Sequence, residues 1–184
     1  MDNFGFWNVR RLNSLNKQKE IKWFLHNNNV GLFGLVETRV KSINWLKVRN
    51  NICSSWTICT NYSFHKGGRV WLMWNPQVFD VDVFDITSQT IHSFVQDKIN
   101  GRKFWFTVVY GFNHINSRVE LWEKLKEYSN SCNKAWAIGG DFNNVLQFQE
   151  RIGSEVTAAE IIPFQNCVSW CHLQDIPAIG SYFT

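Results

Sequence analysis

Proline is scarce in this chain, three in 184 residues, and charged residues make up only 18% of it. That excludes a Pro-rich linker and a charge-expanded disordered segment. Long apolar runs are also missing: none approaches the roughly 18 to 20 residues that a membrane span needs. The opening Met1-Asp2-Asn3-Phe4-Gly5 has neither the basic start nor the apolar run of a signal peptide. A soluble, unsecreted protein with no membrane partner is therefore expected. Cysteine is too sparse for a disulfide scaffold, and its count is odd. Cys53, Cys59, Cys132, Cys167 and Cys171 are expected to be reduced thiols of an intracellular protein.

The sequence is instead 45% hydrophobic and 16% aromatic, and long enough to bury a core, so a single globular domain over 1–184 is expected. Its charge is uneven. Residues 1–92 carry 11 Lys and Arg against 6 Asp and Glu, whereas residues 93–184 carry 8 against 9. A basic first half is compatible with a DNA or RNA partner, because phosphate neutralisation by Lys and Arg supplies most non-specific affinity. Solubility alone accounts for such a surplus equally well.

Along the chain, Phe4–Val9 predicts a buried strand ending at the basic pair Arg10-Arg11, with Asn8 at its end. Lys17–His26 has near-helical apolar spacing before the stop signals Asn27-Asn28-Asn29 and Gly31. Leu32–Val36 predicts a second buried strand that delivers Glu37, then a polar loop. Trp56–Thr60, Arg69–Trp74, Phe79–Ile86, Ile91–Gln96 and Lys103–Tyr110 are β-rich runs that predict an antiparallel meander, with Asn100-Gly101 as a type I′ hairpin turn. Ser117-Arg118-Val119-Glu120 has the pattern of a capping box opening a helix to about Tyr128. Ala135–Gly139 predicts a strand that ends in Gly140-Asp141-Phe142-Asn143. Phe164, Cys167, Val168 and Cys171 share one helical face, with a helix start expected near Pro163.

Polar groups thus follow apolar strands repeatedly: Asn8, Glu37, the pair Asp141 and Asn143, and Tyr110 with Asn113. Carboxylates and amides of this kind suit a hard cation such as Mg²⁺, which takes oxygen ligands, uses few protein carboxylates and leaves room for substrate phosphate. Phosphoryl-oxygen displacement is the chemistry implied. Helix caps and turns are the other reading of each such Asp or Asn.

Five segments occur in order: Trp7-Asn8-Val9-Arg10-Arg11-Leu12-Asn13, Gly34-Leu35-Val36-Glu37-Thr38-Arg39, Gly68-Arg69-Val70-Trp71-Leu72-Met73-Trp74-Asn75-Pro76, Val109-Tyr110-Gly111-Phe112-Asn113 and Gly139-Gly140-Asp141-Phe142-Asn143. Glu150-Arg151-Ile152-Gly153 and Leu173–Thr184 extend the likeness over essentially the whole chain. Together they resemble the endonuclease/exonuclease/phosphatase superfamily, and within it the apurinic-endonuclease-like N-terminal domain of plant LINE-type non-LTR retrotransposon polyproteins.

The resemblance implies a four-layered α/β sandwich, with two mixed, mainly antiparallel sheets face to face and helices outside. It implies Mg²⁺-dependent cleavage of a DNA phosphodiester, with Mn²⁺ as an alternative ion. By matching position, Glu37 resembles the principal metal carboxylate and Asn8 a metal-site or phosphate-orienting amide. Asp141 resembles the group that activates water, Asn143 its positioning partner, and Tyr110, Asn113 and Arg39 groups near the scissile phosphate. A monomer is expected, nuclear if it acts as a retroelement endonuclease, with a reverse transcriptase domain in the same chain of a full-length element. The family pattern continues past Thr184 with a Trp, an Asp and a late Asp-His pair. A chain incomplete at its C-terminus, short of the last strands, is the corresponding expectation, and with it impaired catalysis. Arg11 stands where the family usually has Gly, a loop change.

Two other functions compete with a DNA-nicking enzyme: a non-catalytic nucleic-acid-binding retroelement remnant, and a phosphomonoesterase acting on a sugar or inositol phosphate. Cys167 and Cys171, followed by His172, read as small core residues on an apolar helical face rather than as a zinc site. Lys66-Gly67-Gly68-Arg69 reads equally as a phosphate clamp or a basic hairpin turn. Arg39, Lys41, Lys47 and Arg49 form a basic cluster near Glu37 in sequence. Trp71 and Trp74 cannot both face inward on one regular strand, so one of them is expected to be exposed.

Overall fold

In the computed structural model, which describes residues 3–151 and 156–176, the apolar runs become strands of two mixed four-stranded sheets. The first holds β1 (Asn3–Asn8), β2 (Val30–Val36), β4 (Val70–Trp74) and β3 (Thr57–Thr60), in that spatial order. The second is β5 (Phe79–Ile86), β6 (Thr90–Asp97), β7 (Lys103–Tyr110) and β8 (Trp136–Asp141). Each sheet has one parallel pair at an edge, β1 with β2 and β7 with β8; the remaining neighbours are antiparallel. Parallel neighbours need a crossover. One is supplied by α1 (Leu15–Asn27), and the β7-to-β8 connection carries α3 (Val119–Ser131).

Every residue of β2 and β4 is buried, because these strands are covered on both faces. Phe33, Leu35, Trp71 and Met73 join a core with Ile21 and Leu25 of α1 and Val48 and Ile52 of α2 (Trp45–Cys53). Leu32, Val36, Leu72 and Trp74 join the inter-sheet core with Ile91, Val95, Phe106 and Val108. Trp71 and Trp74 therefore do point to opposite faces, yet both are buried, which corrects the expected exposed Trp. The mixed, mainly antiparallel sheets form the α/β architecture that the sequence resemblance implied.

The chain divides into two compact units, 1–113 with 132–143 and 114–131 with 144–184. Within the second, Trp122 of α3 stacks on Phe164 of α4 (Ala158–Trp170) with ring centroids 4.7 Å apart. Buried Arg118 lies 3.7 Å from Glu160, which also pairs with Arg151 at 2.8 Å. The Arg151 hydrogen bond holds the Glu160 carboxyl below its ordinary value.

Several local readings change. The five-run meander is split, since β3 and β4 belong to the first sheet and only β5, β6 and β7 form a meander. Asn100-Gly101 is not a two-residue I′ turn. The loop spans residues 98–102, and of the pair only Gly101 has positive φ, at 72°. The Asp97 carboxylate explains this, accepting the amides of Ile99 and Asn100 and widening the turn. Ser117 lies in a 3₁₀ turn, Ile115–Arg118, ahead of α3, which continues to Ser131. Helix α4 starts at Ala158, five residues before Pro163, and α2 was not expected at all. Ile152-Gly153 and Pro177–Thr184, part of the family likeness, lie outside the described residues.

Gly140 carries the bend that presents Asp141. Its φ is +132°, and an added Cβ would sit 2.0 Å from the Val109 carbonyl oxygen. Gly140→Ala should therefore cost about 2 kcal/mol or more. A urea midpoint equal to that of the parent chain would refute this account of the β7–β8 pairing.

Candidate active site

Parallel pairing at both sheet edges aligns strand ends. Asn8 is the last residue of β1 and lies opposite Val36, the residue before Glu37. Tyr110 and Asp141, the last residues of β7 and β8, lie opposite each other. Two hydrogen bonds then cross between the sheets. The Asn8 Nδ2–H donates to Asp141 Oδ2 at 2.7 Å, and the Tyr110 hydroxyl donates to Glu37 Oε1 at 3.2 Å. Asn143 completes the hold on Asp141, its backbone N–H donating to Oδ1 at 2.9 Å while its Nδ2–H donates to the Gly111 carbonyl at 2.6 Å. Asn113 is exposed on the loop beyond β7.

Glu37 is buried, with 6% of its surface exposed, and it is ringed by cations. Arg10 Nε donates to Oε2 at 3.0 Å, Arg39 Nη2 donates to Oε1 at 3.2 Å, and Arg69 Nη1 lies 3.9 Å from Oε1. Burial alone would push the Glu37 carboxyl up. It is outweighed by the hydrogen bond and charge of Arg39, then by Tyr110 and Arg10, which leave it below its ordinary value and ionised. Burial pushes the Tyr110 phenol up, and the Glu37 charge adds to that, so Tyr110 remains a donor. The Arg69 guanidinium also sits over the Tyr110 ring, 5.6 Å from its centroid. Half-buried His65, on the same loop, is held below its ordinary value first by burial and then by the charge of Arg69.

Of the basic cluster expected beside Glu37, the structure brings Arg39 onto the carboxylate, while Lys47 and Arg49 lie on α2, where Arg49 donates to the Ser54 carbonyl. Arg10 and Arg69 take part instead. Their sequence signals were different: Arg10 follows β1 two residues after Asn8, and Arg69 closes the basic run at 66–69 ahead of β4. Lys66–Arg69 lies in the loop between β3 and β4, where Gly68 has φ +50° and its carbonyl accepts the buried Thr38 hydroxyl at 2.7 Å.

Backbone strain concentrates here. Glu37, Arg39 and Asn143 have φ of 54°, 51° and 49°, and Arg11 has 67°. Non-glycine residues in this region cost on the order of 1–3 kcal/mol each and gather at functional sites.

Among the described residues no group of three or more His, Cys, Asp and Glu side chains is placed to hold a metal. The oxygen donors present nevertheless fit a hard cation that needs only one or two protein carboxylates. Glu37 and Asp141 supply these, and Asn8 Oδ1 is a buried acceptor with no hydrogen-bond partner. A cavity of about 420 Å³, lined by Phe4, Phe79, Phe104 and Trp136, lies at the other end of the strands, away from this chemistry.

Fold and site together describe a two-sheet α/β protein with an acid, amide and arginine cluster at the converging strand ends. The sequence matches no family model and no curated protein. Solved structures do match. An AP endonuclease from Archaeoglobus fulgidus superposes with TM-score 0.66 at 14% identity, covering 92% of this chain and 70% of its own. The endonuclease domain of TRAS1, a telomere-specific non-LTR retrotransposon, gives 0.65 at 12%, covering 90% and 70%. An endonuclease/exonuclease/phosphatase family protein from Bacteroides thetaiotaomicron gives 0.58 at 14%, covering 76% of this chain and 62% of its own length. The chain shares the fold of these structures, and its structural neighbours include endonucleases and a phosphatase. No helix among the described residues is long and apolar enough to cross a membrane.

Asn8→Asp would set a second carboxylate in hydrogen-bond contact with Asp141, so the pair should retain a proton that the unfolded chain loses. A carboxyl raised in the folded state lowers stability as pH rises through its unfolded value. The variant should match the parent near pH 4 and lose about 1–3 kcal/mol at pH 7. Equal losses at both pH values would contradict the arrangement.

Proposed function

We propose that this chain is a Mg²⁺-dependent phosphodiesterase that nicks DNA, the endonuclease of a non-LTR retrotransposon of the plant LINE kind. The observation that carries the reading is the joining of Asn8 to Asp141 and of Glu37 to Tyr110 across the two sheets, which gathers acceptors and donors for an anionic centre. Glu37 and the free Oδ1 of Asn8 would hold Mg²⁺, with Mn²⁺ able to substitute. Bound there, the ion supplies Lewis-acid charge beside a phosphoryl oxygen.

The remaining roles belong to the protein's own groups. Asp141, fixed by Asn8 and Asn143, accepts a proton from the water that attacks phosphorus. As the new P–O bond forms the P–O3′ bond breaks, and O3′ takes up a proton from solvent to give a 3′ hydroxyl, from which a reverse transcriptase in the same polyprotein could prime. Tyr110, Asn113 and Arg39 contact the scissile phosphate. Action in the nucleus follows from that role.

The guanidiniums around Glu37 favour a second reading: they bind nucleic-acid phosphate without hydrolysis. Nicking of supercoiled plasmid by the purified chain separates the two. With Mg²⁺, relaxed circles should appear and fall at least about 10²-fold in Asp141→Ala. A chain that melts cooperatively and binds plasmid without nicking it would favour the binding remnant.

A further inference from the structure

Glu37 has two oxygens, and both are engaged by arginine: Arg10 on Oε2, Arg39 on Oε1, with Arg69 close behind. The three guanidiniums outnumber the two carboxylates of the cluster, Glu37 and Asp141, leaving it with net positive formal charge. A divalent cation approaching such a cluster meets repulsion, and it also finds its main carboxylate occupied.

The arginines themselves are under-used. Each guanidinium has five N–H donors in a fork that matches two oxygens of a phosphate. Arg10 gives one N–H to Glu37 and Arg39 gives one. Their side chains are 76% and 54% exposed, so the remaining donors face solvent. Arg69 is more enclosed, at 27%, and is braced over Tyr110. The Nε–Nη edge of Arg10 and the Nη1–Nη2 edge of Arg39 each include the N–H now given to Glu37, so a phosphodiester that takes either edge bidentately competes with the carboxylate for that donor.

We propose that Arg10, Arg39 and Arg69 couple cation binding to nucleic-acid binding: a backbone phosphate draws the guanidiniums off Glu37 and adds negative charge, and only then is the carboxylate open to a divalent cation. This rests on the phosphodiesterase reading and assigns Arg10 and Arg69 a part in it. Coupling of this kind is reciprocal, so the cation tightens the nucleic acid by the same factor.

The test is binding of Mn²⁺ to the full chain, followed by the electron paramagnetic resonance of the free ion, with and without a saturating phosphorothioate duplex and with duplex-only blanks. The duplex should raise Mn²⁺ affinity at least about fivefold, the low end of ordinary coupling. Arg10→Gln with Arg69→Gln should bind Mn²⁺ more tightly than the parent when no duplex is present, and the effect of duplex should shrink below about twofold. Arg10→Gln alone, at an exposed position, should shift both quantities in the same direction. Parent affinity indifferent to duplex, or variants that bind Mn²⁺ as weakly as the parent, would overturn the coupling. Plasmid nicking with no coupling would overturn it while leaving the phosphodiesterase reading intact, whereas a chain that binds neither Mn²⁺ nor duplex would overturn both.

Discussion

Parallel pairing of an edge strand in each sheet is the constraint from which the site follows. Two parallel strands end on the same side, so whatever residue terminates each is delivered to a common rim. β1 and β2 bring Asn8 and Glu37 there from one sheet, and β7 and β8 bring Tyr110 and Asp141 from the other. The inter-sheet core holds the two rims in register. It is built from Leu32, Val36, Leu72 and Val108, and where the sheets approach closely Gly34 leaves room for Phe6 and Val108. Antiparallel pairing at either edge would send one of the four residues to the far end, where the aromatic cavity lies.

Much of this was legible because the strands read as short apolar runs, although β1, expected to be buried, is exposed at Asn3 and Phe4 and β8 is only half-buried, and the polar residue that ends such a run is conspicuous. Asn8, Glu37, Tyr110 and Asp141 all stood out in that way. Arg10, in the basic pair with Arg11, and Arg69, in the basic run at 66–69, were visible as cations but not as partners of Glu37, because that pairing is set by tertiary contact across 27 and 32 positions respectively. The split of the meander was hidden for a related reason: hairpin signals are local, and nothing in β3 or β4 says which sheet will accept them. The short helix α2 was obscured by exposed Ile43 and Leu46 around its buried Val48 and Ile52. For Trp71 and Trp74, alternation correctly put them on opposite faces, but only the packed layers show that both faces are interior.

The electrostatics of Glu37 link that architecture to its chemistry. A carboxylate this buried needs a counter-charge, and removing all of them would leave an uncompensated charge in a poorly solvated place. The individual pairs are another matter. Arg10 and Arg39 are exposed enough that each ion pair contributes no more than about 1 kcal/mol, so exchanging either for another cation costs little. The requirement is therefore for some positive charge at Glu37 rather than for a particular one. Positive φ at Glu37 and Arg39 sets the backbone from which the carboxylate and one guanidinium project, while the guanidiniums of Arg10 and Arg39 lie largely in solvent. A buried anion with solvent-exposed, exchangeable counter-charges suits a site whose carboxylate must be compensated by arginine and yet become accessible once a phosphate has taken the arginines.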